Sequence, residues 1–189
     1  RDEMNSKAKT ALVKDRKKVV ATQKTFCERG WKGHQQSGPN VSRYCTKHAK
    51  NKAAARTALI KGGAEKKPPV FGFDCVCLIK GILWGWNGDA SKTYGGASYT
   101  TNGVPDISAD QMITNCTGVS KTGWANMEIG EALWCSGHIG VYIGDGLAVE
   151  CTPKWNNNVQ ITAVANIGSK AGYNARTWTK HGKLSYITY

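Results

Sequence analysis

Residues 137–153, GHIGVYIGDGLAVECTP, constrain the fold more than any other stretch. Apolar positions recur with a period of two on either side of Gly144-Asp145-Gly146, and such a run broken by a glycine-rich turn reads as a β-hairpin. Side chains alternate between the faces of a strand, so the hairpin register decides which residues meet. With Gly144, Asp145 and Gly146 as a three-residue loop, Ile143 pairs with Leu147, Tyr142 with Ala148 and Gly140 with Glu150. His138, Gly140, Tyr142, Ala148 and Glu150 then share one face, and Glu150 becomes the diagonal neighbour of His138, within hydrogen-bond reach. A two-residue Asp145-Gly146 loop is expected to turn Glu150 to the opposite face.

The same period continues in NVQITAV (158–164) and KLSYITY (183–189), both expected as strands. Upstream the period is helical. Cys75, Ile79, Ile82, Leu83 and Trp86 form the stripe of a helix packed on a core, with Asp74 at its N-cap. Residues 6–26 read as a basic helix, and residues 46–61 as an alanine-rich one closed by Gly62-Gly63. Asp106 or Ser108 can cap a short helix through Met112. Helices first and strands after indicate an α+β domain with an antiparallel sheet.

With 189 residues and 40% hydrophobic content the chain can bury a core, which excludes wholesale disorder. No apolar stretch approaches the roughly 18–20 residues that span a bilayer; the best candidate, 75–86, is interrupted by Lys80. The chain opens on RDEM with no apolar h-region, so no signal peptide is visible. Seven cysteines lack the paired spacing of a zinc site and the four histidines are scattered, so neither metal nor cofactor is expected. Whether Cys27 and Cys45 pair is left open.

Charge divides the chain unevenly. Residues 1–70 hold 18 Lys+Arg against 5 Asp+Glu, whereas residues 71–189 hold 8 of each. The surplus of +13 at one end suggests an anionic partner met there, although a basic surface that only maintains solubility gives the same count. Residues 1–45 offer few interleaved aromatics (Phe26, Trp31, Tyr44) and no groove-reading motif, which argues against nucleic acid.

The candidate chemistry lies in FGFDCVCLIKGILWGW, residues 71–86. A cysteine in the first turn of a helix meets the positive end of the helix dipole and unpaired N–H groups, both of which favour thiolate. Cys75 occupies that position. Cys77 lies roughly 200° further round the helix and reads as packing. Cys75, His138 and Glu150 together supply a nucleophile, a base and an orienter.

FDCVCLIKGILWGW, followed by IGEALWCSGHIGVYIGDGLAVE, resembles the NlpC-type family of papain-like cell-wall peptidases, in particular its endolysin-like members from phages and mobile elements. The similarity covers residues 71–189 and extends weakly back to about residue 42. The resemblance implies a papain-like fold, with the nucleophile at a helix start packed on an antiparallel sheet. It implies that Cys75 is the nucleophile, His138 the general base and Glu150 the third polar residue. Asp74 matches the aspartate that in relatives binds the free amino end of the stem peptide; Val76 and Trp134 complete the candidate substrate-binding set. The departures are Val76 and Cys77, where many relatives have serine or glycine, and FCERGWKG (26–33), where an aromatic-glycine segment that lines the cleft is hard to find.

The expected organisation is a basic segment, residues 1–45, within the same domain as a peptidase core, residues 46–189. The expected activity is hydrolysis of a peptidoglycan amide, between D-glutamate and the following diamino acid. The amidase alternative cuts between sugar and L-alanine with the same residues. The rivals from other classes are a basic polyanion- or nucleic-acid-binding protein and a catalytically silent wall-binding module. The expected partners are peptidoglycan and, through residues 1–70, anionic wall polymers, in a protein that is secreted, wall-associated or released by a phage or mobile element.

Overall fold

The computed structural model describes residues 73–189 apart from 90, 92, 156 and 157. The helices expected over 6–26 and 46–61, the Cys27–Cys45 question and the basic segment 1–70 lie outside the described residues.

Helix α1, Cys75–Leu83, begins where Asp74 caps it: the Asp74 carboxylate accepts the backbone N–H of Cys77 at 2.7 Å. It ends three residues short of the apolar stripe. Gly85, at φ +93°, takes the left-handed turn, while Gly85 N–H donates to Ile82 O and Trp86 N–H to Gly81 O. That pair of bonds is the Schellman stop, which satisfies carbonyls the helix would leave open. Trp86 therefore lies beyond the helix and packs edge-on against Phe73. Helix α2, Ala109–Thr114, is capped by Ser108 in a full capping box with Gln111. Asp106, the other cap candidate, is instead the partner of Lys80 on α1. Lys80 is 1% exposed, pairs with Asp106 and donates to Ile107 O at 3.0 Å, while Tyr99 donates to the other Asp106 oxygen at 3.0 Å. A buried ammonium is tolerable only when so paired, and the pair ties α1 to the segment that leads into α2.

Seven strands follow: β1 Thr117–Ser120, β2 Ala132–Cys135, β3 His138–Gly144, β4 Leu147–Thr152, β5 Asn158–Val164, β6 Ala175–Arg176 and β7 Lys180–Lys183. They form one sheet in the order β1-β7-β2-β3-β4-β5-β6, antiparallel except for β5 and β6. The molecule is therefore α+β with a predominantly antiparallel sheet. The last strand is not KLSYITY. It is Lys180–Lys183, and the residues after it fold back, with Leu184 N–H donating to the Tyr189 hydroxyl at 2.9 Å. Leu184 and Ile187 are buried through that turn, which reproduces an alternating pattern without a strand.

The two faces of the sheet bury different residues. Ile79, Ile82, Met112 and Ile113 of the helices pack with Ile139, Val141, Ile143, Val149 and Val159 on one face. Leu133, Tyr142, Ala148, Val164 and Trp178 form a smaller cluster on the other. No helix among the described residues is long and apolar enough to cross a membrane.

Candidate active site

The hairpin puts His138 and Glu150 on one face, but not by the loop expected. The turn has two residues, Asp145 and Gly146, both at positive φ (54° and 68°), the primed geometry that suits the twist of paired strands. Gly144 pairs with Leu147, whereas Tyr142 pairs with Ala148, so Ile143 and Gly144 together oppose a single residue. This β-bulge adds the residue that the short turn lacks, and Gly140 still pairs with Glu150. The expected pairing of Ile143 with Leu147 is thus wrong. So is the expectation that a two-residue turn turns Glu150 away.

His138 begins β3, just after the turn Ser136-Gly137. Asp110 of α2 holds that turn, accepting Gly137 N–H at 3.1 Å and the Trp134 indole N–H at 2.8 Å. The imidazole stacks on Trp178, with ring centroids 5.6 Å apart and planes 11° from parallel. Gly140 makes that stacking possible: a Cβ there would lie 2.9 Å from both the Trp178 ring and Val149 O. His138 Nε2 meets Glu150 Oε2 at 2.6 Å.

Glu150 is fully buried. Thr162 donates its hydroxyl to Oε1 at 2.7 Å, and Arg176 Nε donates to Oε2 at 2.7 Å and to Oε1 at 3.0 Å. Burial pushes the carboxyl pKa up. Hydrogen bonds from His138, Arg176 and Thr162, with the Arg176 charge, more than offset that and hold it below the usual range. Glu150 is a carboxylate beside the imidazole.

Cys75 packs at the start of α1 against the other end of this arrangement. The backbone N–H groups of Ile139, Val76 and Cys75 itself face its sulfur, so the nucleophile candidate touches the strand one residue after His138. Burial, then the Asp74 charge, push the thiol up to about 11 and outweigh the helix-start N–H groups. At neutral pH Cys75 carries its proton and needs a base to become a nucleophile. Among the described residues the hydrogen bond of the His138 ring is the one between Nε2 and Glu150. Cys77 is half-buried, and burial followed by Asp74 raises its thiol well above the ordinary range.

The remaining candidates are spread around Cys75. Asp74 is half-buried, one carboxylate oxygen engaged with Cys77 N–H. Val76 has its side chain buried in the core, so what it presents to the site is the N–H facing the Cys75 sulfur. Trp134, on β2, pairs with Ile139; the ammonium of Lys180 lies 5.2 Å from its ring. Thr162, Arg176 and Trp178 escaped the reading of the sequence. One signal was there: Arg176 is the only arginine in residues 71–189. Among the described residues no three His, Cys, Asp or Glu side chains cluster as a metal site would.

No family model and no curated protein matches the chain. Among solved structures it is similar to the peptidoglycan hydrolase RipB from Mycobacterium tuberculosis, at 21% identity over 64% of this chain and 48% of that one, with a TM-score of 0.36. The chain spans about half the length of that protein.

Proposed function

We propose that the chain is a cysteine-dependent hydrolase of peptidoglycan amides, with Cys75 as nucleophile, His138 as general base and Glu150 as orienter. The observation that carries this reading is the 2.6 Å bond from His138 Nε2 to the buried carboxylate of Glu150, with Ile139, the residue after His138, facing the Cys75 sulfur through its N–H. Glu150 fixes the tautomer with the proton on Nε2, so Nδ1 is the basic nitrogen. In the reaction Nδ1 takes the thiol proton as sulfur attacks the amide carbonyl. The oxyanion that forms accepts from the backbone N–H of Cys75. Collapse expels the amine, which receives the proton back from His138, and water then hydrolyses the thioester. A thiol with its pKa near 11 makes proton transfer to His138 part of the attack rather than a step completed beforehand.

The substrate follows from the family resemblance of FDCVC and GHIGVYIG: the amide between D-glutamate and the diamino acid of a stem peptide. Asp74 is the residue proposed to meet the free amino end, and Trp134 to line the cleft. Residues 1–70, with their surplus of +13, are proposed to hold anionic wall polymers, which fits a protein acting at the cell wall. Mass spectrometry of fragments released from purified peptidoglycan tests the reading. New amino termini on the diamino acid support it; a new terminus on L-alanine reassigns the bond to an amidase, and no release at all refutes hydrolysis.

A further inference from the structure

Arg176 reaches Glu150 from the far edge of the sheet. Its strand, β6, is only two residues long and lies parallel to β5 at the sheet edge. Such a strand has little holding power of its own, and the bonds around it compensate. Ala163 N–H donates to Asn174 O at 2.8 Å and Ala165 N–H to Arg176 O at 2.9 Å. Asn166 clasps the next turn through its side chain, accepting Trp178 N–H at 2.8 Å and donating to Trp178 O at 3.0 Å. The same segment therefore delivers two side chains to the imidazole–carboxylate pair: the Trp178 ring beneath His138 and the Arg176 guanidinium on Glu150.

The guanidinium is fixed on every side. Nε and Nη2 both lie 2.7 Å from Glu150 Oε2, Nη2 donates to Thr152 at 3.2 Å, and the group sits between Trp155 and Trp178, at 5.1 and 5.4 Å. A planar fork can do this where a lysine ammonium would meet one oxygen as a point charge. Glu150 has two oxygens and needs one of them aimed at His138 Nε2. Thr162 occupies Oε1, and Arg176 spans both oxygens, so the carboxylate cannot rotate away.

We propose that Arg176 is a positioning residue of the site: it keeps Glu150 ionised and oriented on His138 Nε2, which leaves Nδ1 as the nitrogen that serves Cys75. This rests on the catalytic reading above. The groups that face Glu150 are His138 from β3, Cys135 from β2, Gln160 and Thr162 from β5, and Arg176 from β6, with Thr152 on its own strand. Among the described residues Arg176 is the only permanent cation hydrogen-bonded to it.

The test compares wild type, Arg176→Gln and Arg176→Lys in the full chain by two readouts: the pH profile of peptidoglycan hydrolysis and the 13C titration of the Glu150 carboxyl. Without the guanidinium the carboxyl should titrate about one unit higher or more, and activity should fall more at the acid end of the profile than at the alkaline end. Arg176→Lys should restore part of both effects. An unchanged carboxyl titration and acid limb in Arg176→Gln, with activity reduced equally at every pH, would make Arg176 merely structural and overturn the proposal. The carboxyl titration needs no turnover, so a wild type without hydrolytic activity would refute the catalytic reading while the hold of Arg176 on Glu150 is still measured.

Discussion

The chain builds the same three residue types into two places. His138 lies 2.6 Å from Glu150 near Cys75, and His181 lies 2.6 Å from Glu131 in the neighbourhood of Cys116. Their hydrogen bonds differ. His181 uses both nitrogens, Nδ1 on Glu131 and Nε2 on Thr122 O at 2.7 Å, and its ring packs against Trp124. Cys116 points its thiol at Met112 O, 3.3 Å away, and burial, then Glu131, push it up to about 12. In that cluster both imidazole nitrogens and the thiol are bonded within the protein. At His138, among the described residues, Nε2 is bonded to Glu150 and Nδ1 has no partner, and the nearby sulfur lies at a helix start. The difference is a hydrogen-bond inventory, and residue identity alone does not reveal it.

Exchanging the two histidines for alanine should break the symmetry most sharply. His138→Ala should lower hydrolysis by about 10²–10⁴-fold, the usual worth of a general base, with little change in thermal unfolding. His181→Ala should do the reverse. It strands a buried Glu131, at a cost on the order of 3 kcal/mol, while the folded fraction keeps its turnover. Denaturation and wall-clearing assays on both variants measure the contrast, and a dead but stable His181→Ala would erase it.

Glu150→Gln comes next. It should reduce activity less than His138→Ala, since an amide oxygen can still hold the imidazole. It should also cost stability of about 1–3 kcal/mol, because Arg176 loses the carboxylate that its buried fork was bonded to. Adding Arg176→Gln to that variant should recover part of the stability, a coupling read from a double-mutant cycle.

The acid side separates the clusters more gently. Glu150 has its folded pKa below the ordinary glutamate value of 4.5. Its contribution to stability is thus complete above about 4.5 and disappears as pH falls through the lowered folded value. Arg176→Gln should weaken that contribution, so its unfolding midpoint should fall at a higher pH in an acid titration followed by circular dichroism. The smallest effect belongs to Cys77→Ala. Its thiol is half-buried beside the N-cap, so stability should change by about 1 kcal/mol or less and most activity should remain. An inactive Cys77→Ala in the same hydrolysis assay would reverse the roles of the two cysteines.

What could be read from the chain was what local geometry dictates. Asp74, Cys75 and the apolar spacing to Leu83 specify a capped helix, because cap and stripe lie within one segment. The common face of His138 and Glu150 followed from strand alternation. The bulge at Ile143-Gly144 did not, since a parity count over the loop is blind to a residue inserted beside it. Arg176 was hidden for another reason: a two-residue strand has no period, and its place beside β5 depends on backbone bonds to the carbonyls of Asn174 and Arg176 and on the side chain of Asn166. Lys80 reads as a break in an apolar run, yet it is buried, because Asp106, 26 residues away, supplies the counter-charge. KLSYITY misled by alternating for the sake of a turn that buries Leu184 and Ile187.

In the proposed reaction Cys75, and no other thiol, attacks an amide of the stem peptide. Purified peptidoglycan should be digested with wild type, Cys75→Ala and Cys77→Ala, and the soluble fragments identified by mass spectrometry. Fragments with a newly freed diamino-acid amine are expected from wild type and Cys77→Ala, and none from a folded Cys75→Ala. Release of the same fragments by Cys75→Ala would contradict it.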